Sequence, residues 1–479
     1  MYLGIDLGTS GVKAVIVGDD GAVLATASAP LSVSRPQELW SEQSAADWWS
    51  GARAAVLGLP SDLRRTVQGV GLSGQMHGAT LLGEGDELLR PAILWNDGRS
   101  FSECAEFEAA VPDLHAITGN LAMPGFTAPK LAWVRKHEPQ VFDQVRAVLL
   151  PKDYLRLCMT GDKASDMSDS AGTLWLDVAR RDWSDEMLAA TGLTRDHMPR
   201  LHEGSEATGV LRAEVAQDWG MGRVPVAAGA GDNAGGAAGI GVSHDGDALL
   251  SLGTSGVIFV ATQEFRPNPG RAVHAFCHCL PGMWPQMSVH LSAASCIDWA
   301  AALTGTDIPS FFQRAEAVGP AAGPELFLPY LSGERTPHND PHVRGAFLHL
   351  GNESDPARIA AAVLEGVAFA HADGLAALRE AGTSVDTLGV IGGGARSRYW
   401  GSILAAALDV RLAYLDGGEV GPALGAAKLA QMAVTGAGAA EVCTRPQVLA
   451  EIVPDPALAE RLAPKLERFR RAYPAIKSL

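Results

Sequence analysis

The sequence predicts an α/β protein built from two related halves. Its 479 residues exceed what one ordinary hydrophobic core accommodates, so two large domains are the first expectation. The hexamer Leu-Gly-Thr-Ser-Gly-Val occupies residues 7–12 and again 252–257, each time flanked by apolar runs. Strand-like runs alternate with helical patterns on both sides of the midpoint, which indicates sheets covered by helices.

In chain order, the first thirty residues read as three strands, Tyr2 to Leu7, Val12 to Val17 and Val23 to Ala27, divided by the bends Gly-Thr-Ser-Gly and Asp19-Asp20-Gly21. Glycine supplies the backbone angles such hairpins need. A helix opens at "SAADWW", where Ser44 can cap it and Asp47 stands three residues on, the spacing of a capping box. A strand in "TVQGVGLSG" leads into the loop "QMHG". The run "VPVAAGAGDNAGGAAGIG" reads as a buried strand, a glycine break and a small-residue helix starting near Asn233. From Ala248 the opening pattern returns as "ALLSLGTSGVIFVAT", so the chain divides near residues 242–248, into domains 1–242 and 243–479. A long amphipathic helix in "DPARIAAAVLEGVAFAHADGLAALREAG" follows, then the strand, triple-glycine turn and helix of "TLGVIGGGARSRYWGSILAAALD".

Composition narrows the function. Hydrophobic residues make up 47% and charged residues 19%, as in a globular chain with large cores. A formal net charge of −16 without a Lys/Arg run argues against nucleic acid as partner, so any bound phosphate must be held locally. The chain opens directly on a strand, and no uninterrupted apolar run is long enough to span a bilayer, so no membrane is expected and the cytoplasm is the default location. A homodimer is left open. The six cysteines are scattered, as for reduced and mostly buried thiols. In "HAFCHC", His274, Cys277, His278 and Cys279 have the letters of a metal site. Their alternating, strand-like run sends neighbours to opposite faces, so buried strand cysteines are the favoured reading.

The two glycine-rich bends carry the first chemistry. Such a turn aims backbone N–H groups and hydroxyls at an anion, and two of them could grip a triphosphate. Gly8, Thr9 and Ser10 are the candidates in one copy and Gly253, Thr254 and Ser255 in the other, although ordinary hairpins use the same letters. Asp6 precedes the first copy where Ser251 precedes the second, and an aspartate ending a strand beside such a turn suits Mg²⁺ through water. Lys13 is a candidate phosphate partner or a solvated lysine on a strand face. Asp232, between small apolar residues and a helix start, can accept a substrate hydroxyl proton during phosphoryl transfer, or simply cap the helix. Gln75, Met76 and His77 form a polar loop, and "LWNDGR" adds Trp95, Asn96, Asp97 and Arg99, a flat ring among polar groups that suits a sugar. Gly392 to Trp400 could let a base lie against the backbone. No Gly-x-Gly-x-x-Gly stands correctly between strand and helix, and no Walker loop is present.

As a set, "YLGIDLGTSGVKAVIV", "WSEQSAADWW", "GLSGQMHG", "ILWNDGRS", "GAGDNAGGAAGIG", "LSLGTSGV", "YLSGERTPH", "GGGARSRYW" and "GPALGAAKLA" resemble, in order and over essentially the whole chain, the FGGY carbohydrate kinases of the actin, Hsp70 and hexokinase superfamily. The resemblance implies two ribonuclease-H-like domains around a deep interdomain cleft, with ATP and Mg²⁺ as cofactors and a small sugar as substrate. It implies Asp232 as catalytic base, Asp6 and Asp232 at the metal, and the two bends with Lys13 on the phosphates. Gly393, Gly394, Ala395, Ser397 and the stretch Gly421 to Gly425 would border the adenosine. Gln75, Met76, His77, Trp95, Asp232 and Asn233 would bind the sugar, and "QMHG" looks like the branch that phosphorylates D-xylulose. Another ketose or polyol is the nearest alternative, and an actin-like ATPase without a sugar substrate a distant one.

Overall fold

A computed structural model describes residues 1–415 and 421–477, without the side chain of Ala395. Two seven-stranded sheets dominate it. In the first, Tyr2–Leu7 and Gly11–Val17 form an antiparallel hairpin, and Val23–Pro30 pairs antiparallel with the second of these strands. On the hairpin's other side Gly69–Gly74 runs parallel to Tyr2–Leu7, and Pro225–Ala227 runs parallel to Gly69–Gly74. Ala207–Val210 closes that edge, and the short Ala230–Gly231 also pairs with Gly69–Gly74.

The second sheet repeats this plan. Ala248–Leu252 and Gly256–Thr262 form the hairpin, and Trp284–His290 pairs antiparallel with Gly256–Thr262. Thr387–Ile391 lies parallel to Ala248–Leu252, and Arg411–Leu415 parallel to Thr387–Ile391. Edge strands His274–Ala275 and Val448–Ile452 complete it. The repeated hexamer therefore marks a repeated five-strand order, with each bend joining the first two strands of its sheet.

The strand Tyr2–Leu7 is covered on both faces and apolar on both until Asp6 near its end. Leu3, Ile5 and Leu7 pack with Trp48, Ala52 and Val56 of helix Ala45–Leu57. Each such fully buried aliphatic side chain is worth ~1.5–3 kcal/mol over exposure. Tyr2 on the opposite face meets Ala423, Leu424 and Ala427 of helix Gly421–Thr435, which belongs to the second half. That helix comes so close that a Cβ on Gly4 or Gly71 would collide with the backbone of Ala423 or Ala426. It also crosses helix Asp232–Gly239, where Gly425 and Gly235 meet without side chains between them. A further core joins first-half residues such as Met76 and Val178 to Phe259, Phe276 and Met283 of the second half.

One local expectation is corrected. Ser44 stands at the N-cap of helix Ala45–Leu57, but its side chain makes no capping hydrogen bond. Asp47 instead stays exposed in the first turn, where its charge complements the helix dipole. Helix Pro356–Glu380 is by length and composition apolar enough to cross a membrane, although Glu365, His371 and Asp373 interrupt its apolar run. It lies in the core of the second half, and its buried Glu365 and Asp373 are paired with Lys465 and Arg470 of helix Pro456–Ile476.

Candidate active site

Asp6 lies on a strand of the first sheet, and Asp232 directly follows Ala230–Gly231, which pairs with the same sheet, close enough for the Asp6 charge to act on it. Asp6 sits opposite Lys13 on one neighbouring strand and Ser73 on the other. Ser73 Oγ donates to Asp6 Oδ1 at 2.9 Å. Burial raises the Asp6 carboxyl above its ordinary range, opposed by that hydrogen bond and by Lys13. Asp232 is the first residue of helix Asp232–Gly239, with Gly231 as its N-cap, so capping is not its role. Its Oδ1 accepts from Asn233 N at 2.7 Å and Asn233 Nδ2 at 3.0 Å. Solvent still reaches the side chain, yet protein walls it in; burial first and the Asp6 charge second push its pKa up to about 7. A carboxylate that takes a proton near neutrality is matched to general-base work.

Like charges this close also test the fit of a cation. Two carboxylates in one cleft are oxygen donors of the kind Mg²⁺ takes, and neutralising their mutual repulsion favours a divalent ion there. Among the described residues no three His, Cys, Asp or Glu side chains gather as an all-protein cage, so such an ion would keep water or phosphate oxygens as its other ligands.

His77 and Met76 form the neighbouring wall. His77 adopts a left-handed backbone conformation, φ 69°. Its carbonyl accepts from Lys130 Nζ at 2.8 Å and Thr127 Oγ1 at 3.2 Å. Burial, reinforced by the nearby Lys130 charge, lowers the His77 pKa to about 3, so the ring is neutral. The contact of Nδ1 with Gly172 O at 2.6 Å then places the proton on Nδ1 and leaves Nε2 as an acceptor. Glycines make room: a Cβ on Gly172 would meet the His77 ring at 2.6 Å, and one on Gly231 the Met76 side chain at 2.9 Å.

Thr9 anchors a third group. Its Oγ1 donates to Gln75 Oε1 at 2.9 Å and accepts from Trp95 Nε1 at 3.0 Å. Gln75 Nε2 reaches Gln43 Oε1 at 2.9 Å, and Gln43 Nε2 reaches Thr9 O at 2.7 Å. Gln75 is only 2% exposed with both amide ends engaged, so it braces the first bend from behind; Trp95, 44% exposed, offers its ring to solvent. Asp97 and Arg99, grouped with the ring by sequence, instead pair with one another at 2.7 Å, and Arg99 also reaches Glu42 at 2.8 Å. Asn96 stays exposed. Sequence reading passed over Gln43, whose bonds to Thr9 and Gln75 span more than thirty residues and leave no local pattern.

The second bend opens on a different space. Gly253 O and Thr254 O accept from Ala294 N and Ala293 N, both at 2.9 Å, at the start of helix Ala294–Leu303, while Thr254 and Ser255 remain exposed. Gly253, Thr254, Gly393, Gly394 and Ser397 line one cavity of about 680 Å³ with the apolar Ile297 and Phe312. Apolar walls beside glycine backbone suit a planar base, and Ser397 itself caps helix Arg398–Leu408 by accepting from Trp400 N at 3.2 Å. The side chain of Ala395 lies outside the described residues. Gly421 begins its helix partly open, but Gly425 is enclosed by Gly235 and borders no open space, because the helix crossing fills its place.

The "HAFCHC" residues are occupied by structural contacts. Cys277 Sγ bonds Val178 O at 3.5 Å and Cys279 Sγ bonds Ala234 O at 3.4 Å. Burial raises both thiols, pushing Cys277 up to about 12, so they stay protonated rather than acting as thiolate ligands. His274 joins the halves, with Nδ1 at 3.0 Å from Asn120 Oδ1 and Nε2 accepting from Arg335 at 3.3 Å.

A duplicated α/β plan, with a carboxylate pair in its cleft and a glycine-backed cavity beside the second bend, defines a phosphoryl-transfer scaffold acting on a small polar substrate. The chain belongs to the FGGY family of carbohydrate kinases, whose N-terminal domain model matches residues 1–239 and whose C-terminal domain model matches residues 248–434. It is 53% identical over 476 residues to a xylulose kinase of Escherichia coli strain K12, spanning 99% of this chain and 98% of that one. It is 54% identical over 482 residues to a xylulose kinase of Klebsiella pneumoniae, with both chains covered completely. The crystal structure of a xyloylose kinase from Brucella ovis superposes with a TM-score of 0.96 at 50% identity, covering 100% of this chain and 99% of that one.

Proposed function

We propose that this kinase transfers the γ-phosphoryl group of ATP to D-xylulose, giving D-xylulose 5-phosphate. Full-length similarity to xylulose kinases supports the substrate. The observation that carries the chemistry is Asp232, a cleft carboxylate held near pKa 7 at the start of a helix. A sugar hydroxyl lying against Asp232 gives up its proton to the carboxylate as its oxygen attacks the phosphorus. The neutral His77 accepts from another sugar hydroxyl through Nε2, while Met76, Trp95 and Asn233 shape the pocket. Gln75 keeps Thr9 and the first bend in place.

The bends Gly8–Ser10 and Gly253–Ser255, equivalent in the two sheets, take the phosphates with Lys13, and the cavity at Gly393, Gly394 and Ser397 takes the adenosine. Mg²⁺ held by Asp6 and Asp232 supplies charge neutralisation at the phosphates when bound. The working division is residues 1–242 for the sugar, first bend and base, and 243–479 for the second bend and adenosine. Approach of the two around both substrates excludes water, so transfer goes to the sugar and not to solvent.

Purified protein with MgATP and a panel of ketoses and polyols tests the reading through sugar-dependent ADP release. D-xylulose is expected to give the highest kcat/KM. Robust turnover on another sugar with none on D-xylulose overturns the substrate, and no sugar-dependent release on any of them overturns the function.

A further inference from the structure

Beneath the cleft lies a cluster of charged side chains that takes no part in the chemistry above. Lys152, Asp153, Arg156, Asp166 and Asp169 are all 0% exposed. Lys152 Nζ lies 2.6 Å from Asp153 Oδ1, 2.8 Å from Asp166 Oδ1 and 3.3 Å from Asp169 Oδ2. Burial raises the Asp169 carboxyl well above its ordinary range, opposed by the Lys152 charge. Buried ion groups of this kind add little stability compared with an apolar core of equal volume, and their value is in fixing geometry.

The contacts at the cluster's edge show what is fixed. Asp166 caps the short helix Met167–Ala171 by accepting from Ser168 N at 2.8 Å, and accepts from Ser168 Oγ at 2.5 Å. Ser168 Oγ in turn accepts from Gly231 N at 3.1 Å, the peptide next to Asp232. Arg156 donates to Ala227 O at 2.8 Å and to Ala228 O, a few residues earlier on the same segment. At the other end of the helix, Gly172 O is the partner of His77 Nδ1 at 2.6 Å. One five-residue helix therefore touches both the segment that carries the base and the histidine beside it.

We propose that helix Met167–Ala171, clamped from below by Lys152 and Asp166, is a spacer that sets the separation of Asp232 from His77 and so selects which ketose presents its terminal hydroxyl to the base. This rests on the function proposed above. An open-chain ketose held by an inner hydroxyl at His77 offers its terminal oxygen at a distance fixed by its own length and stereochemistry. The protein must match that distance, and the match is made by Ser168 Oγ at one end and Gly172 O at the other. Ser168 is a positioning residue, because it acts through Gly231 and touches no substrate.

The test compares the full chain with Ser168→Ala and Ser168→Thr, measuring kcat and KM on D-xylulose and D-ribulose, ADP affinity and Tm. Misplacement of a reacting group by about 1 Å costs up to about 100-fold in rate, so Ser168→Ala is expected to lose about 10-fold or more in kcat on D-xylulose. Its preference for D-xylulose over D-ribulose should shrink while ADP affinity holds, because Ser168 lies outside the cavity at Gly393. Ser168→Thr, which keeps the hydroxyl, should recover most of the kcat. An Ala variant with the parent's kcat and preference overturns the spacer while leaving the kinase reading intact. So does a Thr variant as impaired as Ala with a matching loss of Tm, which would reduce Ser168 to packing. A parent chain that phosphorylates no ketose overturns both.

Discussion

At the scale of single residues, the account turns on two carboxylates made unequal by their surroundings. Asp6 is buried but supported by Ser73 and Lys13, whereas Asp232 has only Asn233 to oppose burial and the Asp6 charge. Removing that charge should make Asp232 easier to ionise. We expect a ¹³C carboxyl titration of the nucleotide-free protein to place the Asp232 midpoint near 7 and to place it lower in Asp6→Asn. An unchanged or higher midpoint would show that Asp6 does not act on Asp232. In the parent, kcat/KM should fall as pH drops through the same range, because the protonated carboxyl cannot accept the hydroxyl proton. The sequence singled these two aspartates out because Asp6 stands near the end of a strand before a glycine-rich turn and Asp232 between a strand and the start of a helix. Gln75 was read as a sugar contact because its neighbours Met76 and His77 look like one; its amide is in fact spent on Thr9 and Gln43. Asp97 and Arg99 misled for the same reason, since a salt bridge two residues apart looks in one dimension like two free polar groups.

Among the elements, helix Gly421–Thr435 has the widest influence. It covers the first sheet against Gly4 and Gly71 and crosses helix Asp232–Gly239 at Gly425. Each of these two helices follows the last strand of the repeated five-strand order, Pro225–Ala227 in one sheet and Arg411–Leu415 in the other, so the crossing joins equivalent parts of the two halves. A methyl group at residue 425 would strike the Gly235 backbone, and overpacking of this kind costs ~1–3 kcal/mol. We predict that Gly425→Ala lowers Tm and also lowers kcat, because the helix it displaces begins with Asp232, the proposed base; a variant with the parent's Tm and kcat would show that the crossing tolerates separation. The sequence announced the elements themselves through periodicity and glycine turns, including the helix beginning at the GDN run. It could not announce that a second-half helix roofs the first-half sheet, and so of the stretch Gly421 to Gly425, expected from sequence to border the adenosine, Gly425 lies enclosed against Gly235. Small residues at helical spacing serve close backbone approach as readily as ligand binding. The tie from the cluster at Lys152 to the Asp232 segment was invisible for another reason, since it runs through Ser168, whose hydrogen bond to Gly231 spans 63 residues.

For the whole molecule, the repeated hexamer proved to be the visible trace of a duplicated sheet order, with one copy keeping a carboxylate and the other Ser251. That asymmetry fits the proposed division of labour, since one half carries Asp6 and Asp232 and the other the cavity beside Gly393. A core shared by both halves joins them on one side, through residues such as Met76, Val178, Phe259 and Met283. The central claim is that Asp232 takes the proton of the sugar hydroxyl. The same raised pKa has a sign for stability: the folded chain holds the Asp232 proton more tightly than the unfolded chain, whose carboxyl titrates near 3.8. Its contribution to stability is therefore present below that range and lost as pH rises through about 7.

The most direct measurement is steady-state phosphorylation of D-xylulose by Asp232→Asn at pH 8, alongside its Tm and ADP affinity. A positioned general base contributes about 10²- to 10⁴-fold, so kcat should fall by at least about 100-fold while ADP affinity is retained. Tm should be equal to or above the parent's, since the neutral amide carries no ionisation cost. Turnover near that of the parent in a folded, ADP-binding Asp232→Asn would contradict the account.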